Sequence, residues 1–283
     1  MKRIETIAEM RAVRSTFPRL GLVPTMGFLH NGHLSLVALA KKDCGAVAVS
    51  IFVNPTQFGA NEDLARYPRD MPRDLSLLED AGVDIVFTPA SEIIYPTGFA
   101  TRIEIGAIAQ VLEGAARCGH FSGVATVVAK LLNIVQPDRA YFGQKDGQQC
   151  AVIRQLAHDL NFPVEIVVGA TVREGDGLAM SSRDVYLTAS QRAAAPILFK
   201  ALTEVRRLFQ SGEHNGDVLR AAMRAIIDTE PLAELDYVSV ADPQTLVECT
   251  MVSTVAMASV AVHFGSTRLI DNFILSNAVL PID

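Results

Sequence analysis

"AVAVSIFVNP" occupies residues 46–55. Residues 46–53 are apolar at every position except Ser50, and Asn54-Pro55 ends the run. A strand with one face in water alternates polar and apolar side chains. A strand that is apolar almost throughout is covered on both faces, as in a parallel sheet. On either side the same alternation of elements repeats. The pattern predicts strands over 19–23, 84–87, 139–142 and 164–168. It predicts helices over 32–42, 69–81, 121–135 (stopped by Pro137) and 146–160. Strands alternating with helices imply βαβ units and a mainly parallel sheet, with right-handed crossovers placing helices on both faces.

The character changes after Val172. "REGDGLAMSSRD" (173–184) is polar, with two glycines and two serines, and reads as a hinge or loop. Beyond it the pattern predicts helices over 190–209 and 217–227 and short strands over 236–240, 255–263 and 267–274. The expected organisation is a first α/β domain over 1–173 and a smaller C-terminal α+β domain over 174–283.

Of the 283 residues, 49% are hydrophobic and 20% charged, which suits one large or two modest globular domains. A net charge of −6 argues against general nucleic-acid binding but permits an anionic small substrate at a local basic cluster. No uncharged apolar run is long enough for a membrane span. Residues 1–13 carry acids among their apolar positions and lack a signal-peptide core. Cys44, Cys118, Cys150 and Cys249 form no CxxC pair and read as reduced structural thiols. A cytoplasmic location is expected.

In an open parallel sheet, ligands collect beyond the carboxyl ends of the strands. Four polar stretches fall there: "PTMGFLHNGH" (24–33), "NPTQF" (54–58), "GQKDGQQ" (143–149) and "VREGDGLAMSSR" (172–183). In the first, His30 and His33 share a face around the opening turn of a helix, whose free N–H groups favour anions. Gly32 lets a phosphate approach the backbone, and imidazolium donors can offset charge on a phosphoryl oxygen. Two rival readings are a zinc site, for which no third ligand stands at suitable spacing, and simple helix capping. The GxxxxGK[ST] and GxGxxG patterns are absent.

Lys145 and Asp146 stand where a strand meets a helix: either a solvated charge and an N-cap, or a point charge for phosphate with its neighbour. Gln57 and Gln149 could form an amide pair around a small polar acid. Ser181, Ser182 and Arg183 are either a polar turn or a set of donors for triphosphate oxygens.

Together these stretches resemble the pantothenate synthetase family, within the wider HxGH nucleotidylyltransferase superfamily. The resemblance rests on "PTMGFLHNGHLSL", "SIFVNPTQF", "EDLARYPRD", "LEGAARCGHFSGVATVVAKLLNIVQPDRAYFGQKDGQQ", "REGDGLAMSSRDVYL" and "RLIDN", in order from residue 24 to 272. It implies a Rossmann-like, doubly wound domain with a C-terminal lid domain, usually as a homodimer. The activity it implies is an ATP- and Mg2+-dependent condensation of pantoate with β-alanine through pantoyl adenylate, releasing AMP and pyrophosphate.

By matching position, His30, His33, Lys145 and Arg183 would serve the transferring phosphates. Met26, Gly27, Gly143, Asp146, Met180, Ser181 and Ser182 would complete the ATP site, with Gly143 lining the adenosine pocket. Gln57 and Gln149 would hold pantoate, and Asn54 would lie behind them or on the β-alanine side. No protein-bound metal and no covalent protein nucleophile is implied. Three positions depart from the family: Cys118 in place of proline in Arg117-Cys118-Gly119-His120, Asp184 in place of asparagine after Ser182-Arg183, and Phe28 in place of a small residue. Two alternatives are a nucleotidylyltransferase acting on a phosphorylated metabolite and a nucleotide sensor with a degenerate site.

Overall fold

The computed structural model describes residues 1–59 and 62–277. By backbone contacts the chain forms two compact units, Met1–Gly143 with Val152–Gly169, and Gln144–Ala151 with Ala170–Asp283. The chain passes from the first unit to the second for the last time at 169/170. The segment 144–151 belongs with the second unit although its flanks belong to the first.

In chain order the first part comprises β1 (Lys2–Ile4), α1 (Ile7–Arg14), β2 (Gly21–Thr25), α2 (Asn31–Cys44), β3 (Val47–Ile51), α3 (Met71–Asp80) and β4 (Ile85–Phe87). Two short helices, α4 (Ser91–Ile94) and α5 (Glu113–Ala116), precede α6 (His120–Val135), β5 (Arg139–Gly143), α7 (Gly147–Asp159) and β6 (Glu165–Gly169). Among the described residues six strands form one all-parallel sheet in the order β1-β4-β3-β2-β5-β6. This is the doubly wound α/β arrangement expected from the apolar run at 46–53, within which Val47–Ile51 form β3, buried at every position.

The order reverses between β2 and β5, the topological switch point. There the two strands pair only at Gly21–Arg139 and Leu22–Ala140, whereas β2–β3 and β5–β6 each pair over five positions. Their carboxyl ends therefore diverge. Pro24, which has no N–H to offer a ladder, lies in the diverging part of β2. One core joins Val23, Val47, Val49, Val86 and Tyr141 of the strands to Leu36, Val37 and Ala40 of α2 and Leu78 of α3. Helix α6, buried along nearly its whole length, packs against β2 and α1.

The remaining elements are α8 (Ala189–Ala194), α9 (Ile197–Gln210), α10 (Gly216–Ile227) and an antiparallel sheet β7 (Glu234–Ala241), β8 (Val255–Phe264) and β9 (Thr267–Ser276). Helices α9 and α10 bury apolar stripes on this sheet, with Leu198, Leu202, Val205, Leu219 and Met223 meeting Val260, Val262 and Phe273. The single helix expected over 190–209 is two, broken at Pro196, which caps α9. The stretch read as a hinge or loop contains a short hairpin inside the second unit. Glu174 N–H donates to Leu178 O (2.8 Å) and Met180 N–H to Val172 O (3.0 Å). A Cβ on Gly177 would stand 2.1 Å from the Phe199 ring.

Candidate active site

After Thr25 the chain turns sharply, with positive φ at Gly27 (82°) and Phe28 (51°). Glycine adopts this conformation freely; phenylalanine does so only when held. The holding group is Asp74 on α3, only 1% exposed. Its carboxylate accepts from Phe28 N (2.7 Å) and Leu29 N (2.8 Å). Burial pushes the Asp74 carboxyl above its usual range, against the pull of those backbone donors. Arg73 donates to Leu29 O (3.0 Å) and stands 5.4 Å from the centre of the Phe28 ring. The unusual Phe28 is thereby accommodated under a guanidinium.

His30 is the N-cap of α2. Its Nδ1 accepts from Gly32 N (3.1 Å), and His33 Nδ1 accepts from His30 N (3.3 Å), a reciprocal capping box. The ring centroids are 4.1 Å apart. Because Nδ1 of each ring is an acceptor, the hydrogen bonds assign the ring proton to Nε2. The cap uses Nδ1 of each ring, so the capping and phosphate readings of the two histidines are compatible. A Cβ on Gly32 would meet the His30 ring at 2.9 Å, so glycine there serves the ring as much as any incoming phosphate.

Gln57 closes a 3-10 turn, Pro55–Gln57, that follows β3. Asn54, 1% exposed, anchors it. Asn54 Oδ1 accepts from Tyr95 Oη (2.8 Å) and from Thr56 Oγ1 (2.9 Å). Asn54 Nδ2 donates to Gly123 O (3.1 Å) and Gln57 Oε1 (3.0 Å). Gln57 Nε2 then faces Met26 Sδ at 3.3 Å, so two of the expected residues, Met26 and Gln57, are in contact. Gly123 on α6 lets the helix touch the turn: a Cβ there would stand 2.3 Å from Thr56 O. His120, one turn earlier, donates Nδ1–H to Gln57 O (2.8 Å). Sequence reasoning gives no role to His120; its signal is a histidine opening a predominantly apolar helix.

In the second unit the segment Gln144–Asp146 is a 3-10 turn leading into α7. Lys145 Nζ lies 3.7 Å from Asp146 Oδ1. Gln148 is buried, and Gln149 is half-buried. Asn272 on β9 fixes this turn. Its Nδ2 donates to Gln144 O (2.9 Å) and Lys145 O (2.9 Å), and its Oδ1 accepts from Gln144 Nε2 (2.7 Å). A Cβ on Gly147 would meet Met257 Sδ at 2.6 Å and Asn272 Nδ2 at 3.1 Å.

The neighbouring Asp271 forms a two-pronged ion pair with Arg173 (2.6 and 3.0 Å). The Arg173 guanidinium lies 4.9 Å from the centres of both the Phe199 and Phe273 rings. Burial pushes the Asp271 carboxyl up, opposed by the Arg173 guanidinium. This pair tethers the hairpin that leads to Met180, Ser181, Ser182 and Arg183. Ser181 caps the 3-10 turn Ser182–Tyr186, accepting from Arg183 N (3.2 Å), and Asp184 Oδ2 accepts from Ser181 N (2.8 Å). The Ser181 hydroxyl oxygen is thus engaged in capping. Asp184 Oδ1 is buried without a hydrogen-bond partner among the described residues, and burial raises its carboxyl pKa while Lys145 opposes that rise.

The expected residues thus form two organised sets: Met26, Gly27, His30, His33, Gln57 and Gly143 in the first unit, and Lys145, Asp146, Gln149, Met180, Ser181, Ser182 and Arg183 in the second. Among the described residues no three His, Cys, Asp or Glu side chains form a group suited to a metal ion. No helix among them is long and apolar enough to cross a membrane.

A family model described as Pantoate-beta-alanine ligase matches residues 2–274. A pantothenate synthetase of Chloroflexus aggregans is 60% identical over 276 residues, covering 97% of this chain and 100% of the relative. One of Gluconobacter oxydans is 58% identical over 272 residues, covering 96% and 99%. A solved pantothenate synthetase of Thermus thermophilus superposes with a TM-score of 0.92 at 46% identity, over 96% of this chain and 99% of that one. A pantoate-β-alanine ligase structure from Francisella tularensis, in complex with Beta-gamma ATP and β-alanine, gives a TM-score of 0.79 at 35% identity, over 97% of each chain.

Proposed function

The chain belongs to the pantoate–β-alanine ligase family and is an enzyme that condenses pantoate with β-alanine using ATP, and from that premise we propose that it works through a pantoyl adenylate. A pantoate carboxylate oxygen attacks the α-phosphorus of ATP, and the bond to the bridging oxygen breaks as pyrophosphate leaves. The β-alanine amine then attacks the acyl carbon, loses a proton, and AMP leaves. Both nucleophiles belong to the substrates, so the protein's work is placement and charge stabilisation.

In this reading the Nε2–H groups of His30 and His33 donate to phosphoryl oxygens. Lys145 and Arg183 offset charge on the transferring and leaving phosphates. Met26, Gly27, Gly143, Asp146, Met180, Ser181 and Ser182 complete the nucleotide's surroundings, and Gln57 and Gln149 hold pantoate. The observation that supports it is the reciprocal cap of His30 and His33, which orders two imidazoles at one helix start. Magnesium carried by ATP takes most of its ligands from phosphate oxygens and water. The donor set here, with Asp146 half-exposed beside Lys145, fits an ion that arrives with the nucleotide. The reading includes a cytoplasmic homodimer, and light scattering on the purified protein tests the subunit count.

The adenylate has its own test. Exchange of labelled pyrophosphate into ATP should require pantoate and magnesium but not β-alanine, while AMP release should require both acids. Exchange that depends on β-alanine would overturn the adenylate.

A further inference from the structure

The Gln57 turn is held by a chain of groups reaching back from the substrate side into the protein. Glu62 accepts from Arg117 Nε (2.8 Å) and Nη2 (2.6 Å). Arg117 Nη1 lies 3.0 Å from His120 Nε2, and His120 Nδ1 lies 2.8 Å from Gln57 O. An arginine can only donate and a carbonyl can only accept, so the two ends fix the imidazole: Nε2 is the acceptor and Nδ1–H the donor. Burial, with Arg117 beside it, lowers the His120 pKa to about 4, so the ring is neutral in ordinary buffers. On the side-chain end, Asn54 has no freedom to flip, because its oxygen is taken by hydroxyl donors and its amide donates to Gly123 O. Gln57 Oε1 is therefore an acceptor for Asn54, which fixes the amide's orientation and makes Nε2–H its donor.

We propose that His120 is a positioning residue for the hydroxy-acid substrate, and that Glu62, Arg117 and His120 fix the backbone of Gln57 so that its amide presents a donor to an acceptor oxygen of pantoate. This rests on the assignment of Gln57 to pantoate. It adds to that assignment an orientation of the amide, with Nε2–H as its donor, and a residue that acts through the Gln57 backbone.

Two substitutions separate the nitrogens of the ring. The amide of His120→Asn replaces Nδ1 and can still donate to Gln57 O; that of His120→Gln replaces Nε2 and cannot. One hydrogen bond supports roughly a tenfold effect. His120→Gln should raise the pantoate KM about tenfold and leave the ATP KM within about twofold, while His120→Asn should recover most of the pantoate affinity. Should His120→Gln fail to fold, as judged by its melting transition, Glu62→Gln at the far end of the chain replaces it. That change should raise the pantoate KM about threefold with ATP again unaffected.

Equal behaviour of His120→Asn and His120→Gln, or equal changes in both KM values, would overturn the proposal. Gln57→Ala, measured alongside, isolates the premise. No rise in its pantoate KM would remove Gln57 from the pantoate site. A rise there without one in His120→Gln would leave Gln57 in place and remove His120.

Discussion

The His30–His33 turn and the Lys145 turn both lie where the chain leaves a parallel strand for a helix, yet they are built in opposite ways. The first closes on itself. Its capping bonds span two and three residues, and Asp74 supplies the main outside support. The second is held from outside, by an asparagine 127 and 128 positions further on. A turn specified locally can lose a side chain without losing its neighbours. A turn specified by one distant buried residue transmits that residue's loss to everything it carries.

The strongest way to break this contrast is Asn272→Asp. The change keeps the shape but turns the amide nitrogen, with its two donor hydrogens, into one carboxylate oxygen facing two carbonyls. It should destabilise the second unit by about 3 kcal/mol and lower kcat/KM for ATP roughly a hundredfold. Denaturant unfolding and initial rates measure the two effects. A stable variant with full activity would mean that the Lys145 turn does not depend on Asn272.

Acid tests a third style of support, the helix that reaches 63 positions back to the Gln57 turn. His120 titrates at about 4 in the folded chain against an ordinary 6.5. The unfolded chain therefore binds the proton first. This contribution to stability is fully present above 6.5 and is lost as pH falls toward 4. It amounts to roughly 3 kcal/mol. Glu62, whose carboxyl is held low by Arg117 against its burial, adds to the acid loss. Asp74 and Asp271, both raised by burial, act in the other direction. The parent and His120→Asn should therefore differ in the pH dependence of unfolding chiefly between pH 4 and 6.5, and parallel curves there would contradict the assignment.

Gly32→Ala sharpens the comparison from the local side. The new methyl meets the His30 ring at 2.9 Å, so the cap gives way by about 1 kcal/mol and the helix survives. Adenylate formation should fall roughly tenfold, a larger effect on rate than on stability. A variant equally impaired in both would place the turn in the same class as the Lys145 segment.

The smallest effect is expected for Asp184→Asn. The amide keeps an oxygen for Ser181 N and removes a buried charge whose Oδ1 has no partner among the described residues. Stability should rise by about 0.5 kcal/mol and the ATP KM should fall about twofold. Because burial raises the Asp184 pKa, the advantage should grow as pH rises through the folded pKa and disappear in acid. A weaker ATP affinity in the variant would give the carboxylate a role of its own.

The same contrast explains what can be read from the chain alone. β3, the strand-helix alternation and the His30–His33 turn depend on neighbours in sequence, and their patterns announce them. β1 escapes such a reading because three residues with Lys2 and Arg3 exposed carry no strand period. The pinned hairpin at 173–179 reads only as a hinge or loop because glycines signal freedom, and nothing local shows Asp271 on Arg173 or Phe199 against Gly177. Asn272 is visible within "RLIDN", but its partners lie in another part of the chain. The available hint is two adjacent polar residues, Asp271 and Asn272, both buried and flanked by Leu269-Ile270 and Phe273-Ile274-Leu275.

The loan of residues 144–151 to the second unit bears on how such a protein can be cut and recombined. The chain crosses between units at 143/144, 151/152 and 169/170, so no single break yields either one whole. A fragment starting at residue 170 would carry Asn272 with both its amide hydrogens and its oxygen stripped of the Gln144 and Lys145 groups they meet. For gene fusion or domain transplantation, the transferable cassette is the complete ligase chain.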